Sequence, residues 1–271
     1  MNVRGRRHDL INGIVLATLV AVVAGCNLRI STNAEAKDQW QRRYTLKEGG
    51  TLEIRNTNGL IHVEPVDGNS VDISADRIVE APTDQGAKDG LASFEIQETV
   101  GPDHIKIDST RRGSGLLNLQ RRVDFHIRIP RSANLSVETS NGNVELVGSR
   151  LSGTFKATAT NGRIRAEGLE NSAAVETTNG TIDVSVSKLG DDGLSCGTTN
   201  GTIDVTLPSD VKAHLSARVT NGTIAQEGLQ LSASEQSRRR LDATINGGGP
   251  LVRLETTNGR IRLKAQAAAE R

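Results

Sequence analysis

Thr177-Thr178-Asn179-Gly180-Thr181-Ile182-Asp183-Val184 returns unchanged, 21 residues later, as Thr198-Thr199-Asn200-Gly201-Thr202-Ile203-Asp204-Val205. A shorter phrase, Thr or Ser, then Asn-Gly, any residue, then Ile or Val, occurs seven times, with its asparagine at Asn58, Asn141, Asn161, Asn179, Asn200, Asn221 and Asn258. From Asn141 to Asn221 the steps are 20, 18, 21 and 21 residues. A period in this range marks one structural unit copied along the chain.

Aligning the phrases on the asparagine shows where the side chains go. Four residues before it stand Ile54, Val137, Ala157, Val175, Cys196, Ala217 and Leu254; three after it stand Ile61, Val144, Ile164, Ile182, Ile203, Ile224 and Ile261. Five after it come Val63, Leu146, Ala166, Val184, Val205, Gln226 and Leu263, with the glutamine as the one polar exception. Polar residues alternate with these on both sides, the period of two that marks strands with one buried face. The unit is strand, Asn-Gly reversal, strand, because Asn and Gly both tolerate the positive φ of a sharp corner.

Two packings satisfy this pattern. Repeated Asn-Gly hairpins would give an antiparallel β-meander. A single-chain parallel β-solenoid would instead make each repeat of about 20 residues one coil and stack identical residues at the ~4.8 Å strand spacing. The solenoid is the expected fold. An open meander of a dozen strands needs a second layer, and no amphipathic helical stretch supplies one. Small residues four before the asparagine suit a narrow interior, and corners are expected at Val147-Gly148-Ser149, Glu167-Gly168-Leu169, Gly190-Asp191-Asp192-Gly193 and Leu207-Pro208-Ser209. The turn ladder is then Asn141-Gly142, Asn161-Gly162, Asn179-Gly180, Asn200-Gly201 and Asn221-Gly222, with asparagine amides hydrogen-bonded along the stack. An end rung such as Asn58 has fewer such contacts.

The segments around the repeat divide the chain further. Residues 1–25 read as an export signal, with Arg4, Arg6 and Arg7 ahead of an uncharged run from Leu10 to Gly25. Residues 26–40 read as a tether, 41–130 as a β-rich N-terminal half that caps the solenoid, 131–263 as the repeat and 264–271 as a polar tail. About five or six coils are expected. Asn246 has Gly249 where the repeat wants Ile, so Leu241 to Leu263 reads as a terminal meander.

Val23-Ala24-Gly25-Cys26 resembles the lipobox of bacterial lipoproteins. The resemblance implies acylation of Cys26, cleavage before it, and membrane attachment through the lipid. Asn27, where inner-membrane retention would want Asp, implies the outer membrane. The phrases TSNGNVEL, ATNGRIRAEG, TTNGTIDV and TTNGRIRL resemble the bacterial putative-adhesin domains, exported β-helical proteins of unknown function, from about Tyr44 to Leu263. That resemblance implies an envelope scaffold or adhesin-like surface, with an envelope protein or glycan as partner and no catalytic residues.

Composition narrows the function classes. The chain has 33 basic and 32 acidic residues, so no global field favours nucleic acid, and no nucleic-acid partner is expected. Without residues 1–25 the balance is 30 to 31, so lipid rather than charge would hold the chain at a membrane. Five aromatics, Trp40, Tyr44, Phe94, Phe125 and Phe155, leave little to stack on sugars or bases. With Cys26 acylated, Cys196 has no disulfide partner and reads as a small core residue.

The chemistry-bearing residues read as surface. His62, His104, His126 and His214 take solvent-facing strand positions without a metal-ligand spacing, and no metal or cofactor is expected. Asp191-Asp192 and Asp67-Gly68-Asn69 lack a calcium-loop pattern and read as turns. A carbohydrate-active β-helix enzyme is the alternative function, marked by a concave cleft where charged side chains converge. The outward acids Glu138, Glu145, Glu176, Asp183 and Asp204 simply follow the alternation. Thr181, Thr202 and Thr223 could order water as an ice-binding column, which Arg163 and Arg260 interrupt. Arg238, Arg239 and Arg240 form the densest charge cluster.

Overall fold

The computed structural model describes residues 33–110, 119–148 and 150–266. The signal segment 1–25, Cys26, Asn27, Ser149 and the last residues of the polar tail lie outside them. The first part of the chain forms β1 (Ala34–Thr45), β2 (Thr51–Asn58), β3 (Ile61–Val66), β4 (Ser70–Ala81), α1 (Asp84–Ala92), β5 (Gln97–Val100), β6 (His104–Asp108) and β7 (Gln120–Pro130). The repeats follow as β8 (Asn134–Asn141), β9 (Val144–Leu146), β10 (Phe155–Asn161), β11 (Ile164–Leu169), β12 (Ala173–Asn179), β13 (Ile182–Val186) and β14 (Leu194–Leu207). The chain ends with β15 (Ala213–Glu227), β16 (Leu231–Gln236), β17 (Arg240–Ile245) and β18 (Leu251–Ala265).

Each Asn-Gly step is a corner between two ladders. On one side, β2, β8, β10, β12 and the first halves of β14, β18 and β15 pair in parallel, in that spatial order. On the other, β3, β9, β11, β13 and the second halves of β14, β18 and β15 do the same. The asparagines fall in register, Asn58 against Asn141, Asn141 against Asn161, and so on to Asn258 against Asn221. A strand's partners are therefore the equivalent strands of neighbouring repeats, as stacking requires and as a run of hairpins would not give.

The described residues are all-β apart from α1, and the sheet is mixed. β1, β4 and β7 pair antiparallel beside β3, and β5 pairs antiparallel with β6 beside β2. At the far end β17 lies antiparallel between β15 and β16. The helix α1 begins at Thr83, whose side chain accepts from the Gly86 amide at 3.1 Å, and it buries Ala87 and Gly90.

Three expectations are corrected. The ladder has seven asparagine rungs, and its first, Thr51–Val66, lies inside the segment read as a cap. β1 begins at Ala34, within the stretch read as a tether; its polar composition is that of an edge strand whose alternation is mostly exposed. The segment Leu241 to Leu263 is not a terminal meander, because β18 lies between β14 and β15 and pairs in parallel with both. The far side of β15 is occupied by β17, so the slot facing β14 is where a strand of the same phrase can join it.

The core follows the sequence columns. Ile54, Val137, Ala157, Val175, Cys196, Leu254 and Ala217 are buried on one ladder and Ile61, Val144, Ile164, Ile182, Ile203 and Ile261 on the other. Leu151, Leu169, Val186 and Leu207 bury the returning stretch of each repeat. Ile224 is half-buried and Gln226 exposed, since the second half of β15 is the outermost rung. The polar exception of the fifth position is thus an end effect. The backbone takes positive φ at Gly148 (98°), at Gly168 (69°), where β11 shifts register within the strand, at Gly193 (77°) and at Asn246 (46°).

Candidate functional site

The ladder glycines are required by contact more than by φ. A Cβ on Gly142 would strike the carbonyl oxygen of Gly59, one on Gly162 that of Gly142, one on Gly180 that of Gly162, and one on Gly201 that of Gly180. The column continues through Gly259 against Gly201 and Gly222 against Gly259. Backbones approach here more closely than any side chain permits. On the Asn258 rung the space also receives the threonine two residues before the asparagine, for the Thr256 hydroxyl donates to the Gly201 carbonyl oxygen at 3.3 Å. Thr139, Thr177 and Thr198 occupy the same buried column with unpartnered hydroxyls.

Outside the glycines runs one continuous amide chain. The Asn141 amide donates to Asn58 Oδ1 at 3.0 Å, Asn161 to Asn141 at 2.8 Å, Asn179 to Asn161 at 3.0 Å and Asn200 to Asn179 at 2.9 Å. Asn258 then donates to Asn200 at 2.8 Å and Asn221 to Asn258 at 2.9 Å. Asn58 ends the chain by donating to the Arg121 carbonyl at 2.9 Å. Every amide points the same way, so the bonds polarise one another. The amide chain thus runs through Asn58, Asn141, Asn161, Asn179, Asn200, Asn258 and Asn221 in that order.

Beside the amides, the residue just before each asparagine gives an uninterrupted hydroxyl column: Thr57, Ser140, Thr160, Thr178, Thr199, Thr257 and Thr220. Two positions further back, Thr158, Glu176, Gly197, Glu255 and Arg218 lie on successive rungs. A groove of about 530 Å³ runs between these columns, and Gly197, which has no side chain, opens it between the two glutamates. The column after the glycines, Thr181, Thr202 and Thr223, is interrupted by Arg260 between Thr202 and Thr223 and by Arg163 before Thr181.

A cleft of about 620 Å³ lies where β1, β4, β7 and β3 meet, lined among others by Arg43, Asp72, His62, Glu64, His126 and Arg128. Parallel pairing of β3 with β7 sets His62 opposite His126, with ring centroids 5.9 Å apart. The strands that join these histidines share no sequence motif, so their meeting shows only in the pairing of β3 with β7. His62 also lies 3.2 Å from Glu64 and 3.4 Å from Glu145, and Arg43 is paired with Asp72. Charged groups converge here, as the enzyme alternative asks, but most are committed to one another. Among the described residues no three His, Cys, Asp or Glu side chains are placed to hold a metal ion.

The remaining residues fall into place around these features. Glu138 lies 3.4 Å from Arg55, Asp183 2.6 Å from Arg163, and Asp204 is paired with Arg262, so the outward acids mostly bridge rungs. Glu176 instead lines the groove. Arg240 is held by Glu235 and Asp242 at 3.0 and 2.8 Å, and the backbone carbonyls of Arg238 and Arg239 accept from Ile224 and Val219 across the open end of the ladder. Burial pushes the Cys196 thiol up to about 12, which makes it a core residue and a poor nucleophile.

A family model described as Toastrack DUF4097 matches residues 19–264. The chain is similar to a putative cell adhesion protein from Clostridium sporogenes ATCC 15579, at 12% identity over 84% of this chain and 100% of that one, with a TM-score of 0.37. It is similar also to a putative adhesin from Bacteroides fragilis NCTC 9343, at 16% identity over 85% and 98%, TM-score 0.34. A third solved structure, a putative lipid binding protein from Parabacteroides distasonis ATCC 8503, shows 13% identity over 84% and 97%, TM-score 0.28. No curated protein sequence matches the chain.

Proposed function

The chain belongs to the Toastrack DUF4097 family, and from that premise we propose that it is a non-enzymatic, adhesin-like β-solenoid, exported and anchored to the bacterial envelope through lipid on Cys26. The observation that carries this reading is the unbroken hydroxyl and amide strip, the same chemistry presented on every rung at the ~4.8 Å strand spacing. Such a strip suits repeated weak contacts to an extended envelope polymer or protein, whose avidity grows with the number of rungs engaged. The lipid reading rests on Val23-Ala24-Gly25-Cys26, and several acyl chains would supply stable attachment. The outer membrane is the proposed destination, from Asn27.

Two experiments test it. Cys26→Ser should abolish metabolic lipid labelling and release the protein from membranes; unchanged labelling would contradict the anchor. Thr178→Lys, Thr199→Lys and Thr257→Lys together should reduce binding of the chain to isolated envelopes at a temperature where circular dichroism shows the variant still folded, since like charges on adjacent strands lower the unfolding midpoint. Binding unaffected by the triple change would contradict the surface reading.

The cleft holding His62, His126 and Glu64 favours a second reading, a carbohydrate-active enzyme. Its mark would be new reducing ends, or unsaturated ends, released from envelope polysaccharide by the native chain and abolished by Glu64→Gln.

A further inference from the structure

All seven rungs carry Asn-Gly, the dipeptide in which asparagine most readily turns on its own backbone. In that reaction the amide nitrogen of the glycine attacks the side-chain Cγ of the asparagine. The bond from Cγ to Nδ2 breaks, ammonia leaves with the glycine amide proton, and water then opens the cyclic imide at either carbonyl. The products are aspartate and isoaspartate, and the net change is addition of water and loss of ammonia.

The ladder blocks each requirement of this step. Gly59 N–H donates to the Asn141 carbonyl, Gly142 to Asn161, Gly162 to Asn179 and Gly180 to Asn200, each at 3.0 Å, so the nucleophile is engaged. The electrophilic amide is fixed from both sides, its Nδ2 donating to one neighbouring rung and its Oδ1 accepting from the other. Asn58 shares this protection, since it donates to Arg121 and accepts from Asn141.

Asn221 is the exception. Its Nδ2 donates to Asn258, but among the described residues it is the outermost rung, and none of them offers a donor to its Oδ1 or an acceptor to the Gly222 amide. The crossing loop satisfies Val219 and Ile224, through Arg239 and Arg238, on either side of the Asn-Gly pair. Both residues are exposed. We propose that Asn221 is a spontaneous modification site, converted through a cyclic imide to aspartate and isoaspartate, and that the asparagine ladder protects the interior rungs from the same chemistry. The product carboxylate has no proton to donate to Asn258 Oδ1, so conversion also loosens the last rung and adds a negative charge at the open end.

The chain contains its own control. Asn179, Asn200 and Asn221 all sit in the pentapeptide Thr-Asn-Gly-Thr-Ile, so local sequence cannot distinguish them. The full chain is aged in neutral buffer and its peptides are mapped by mass spectrometry, with isoaspartate detected separately, in native buffer and in urea. In the native chain Asn221 should convert at least about tenfold faster than Asn179 and Asn200, because the interior sites react only after local opening. In urea the three rates should converge. Equal native rates, an interior rung converting first, or a difference that persists in urea would each overturn the proposal.

Discussion

The side-chain amide of Asn258 donates to Asn200 Oδ1 at 2.8 Å and its own Oδ1 accepts from Asn221 at 2.9 Å, so the last asparagine in the sequence is the penultimate rung of the ladder. That relationship changes which rungs are interior and which is the end. Asn200 holds two amide partners, Asn179 and Asn258, whereas Asn221 holds one.

Asn200→Ala should therefore cost on the order of 1 kcal/mol more than Asn221→Ala, the difference of one net hydrogen bond. Asn58, an end rung by sequence, keeps both a donor and an acceptor partner and should behave like Asn200. Urea unfolding of the three variants checks this; a loss at Asn58 matching that at Asn221 would count against the amide chain.

Glycine positions should divide sharply. Gly180→Ala places a methyl group against the Gly162 carbonyl and should destabilise by several kcal/mol, roughly 3 or more, or prevent folding. Gly197→Ala meets nothing nearer than Glu176 Cγ at 3.8 Å and should be tolerated, with a midpoint close to the parent's. Thermal unfolding of the pair measures the contrast within one ladder.

The buried threonines give a change in the opposite direction. Thr177 and Thr198 bury hydroxyls without a partner. Replacing Thr198 by Val keeps the branched shape, removes that cost, and should raise stability by about 1 kcal/mol. A lowered unfolding midpoint in Thr198→Val would show that the hydroxyl is bonded in solution.

Cys196 should resist thiol reagents until the chain unfolds. Its ionisation also has a definite sign. Burial raises the thiol from its ordinary 9.0 to about 12, so below pH 9 both folded and unfolded thiols are neutral and no dependence arises. Between the two values the unfolded thiol ionises and the folded one does not, and stability falls as pH rises. Cys196→Val should flatten that part of the alkaline stability curve relative to the parent.

The columns that build the core were legible because burial leaves its mark at fixed offsets from each asparagine, as Ile182, Ile203 and Ile261 illustrate. The order of the rungs was not. Asn200 presents the same amide to Asn221 as to Asn258, and the choice is made by β17, whose antiparallel pairing with Ala213–Arg218 closes the other side of β15. The main reason for glycine is not legible in one repeat either, since φ is a local property and the Gly162 to Gly180 approach joins separate repeats. The encounter of His62 with His126 depends on β3 and β7 lying side by side, and Ile61-His62-Val63 and Phe125-His126-Ile127 share no phrase that announces it.

Rung order is the claim on which the ladder, its end and Asn221 all depend, and it can be read by cross-linking. Thr202 lies opposite Arg260, and Arg260 opposite Thr223, on the outer face of the second ladder. In a chain lacking Cys26, the pair Thr202→Cys with Arg260→Cys should form a disulfide on mild oxidation of the native protein, because adjacent strands lie ~4.8 Å apart. Thr202→Cys with Thr223→Cys should not, being separated by two strand spacings, about 9.6 Å, beyond disulfide reach. The reverse result, a bond between positions 202 and 223 and none between 202 and 260, would mean that the rungs stack in sequence order and would contradict the account.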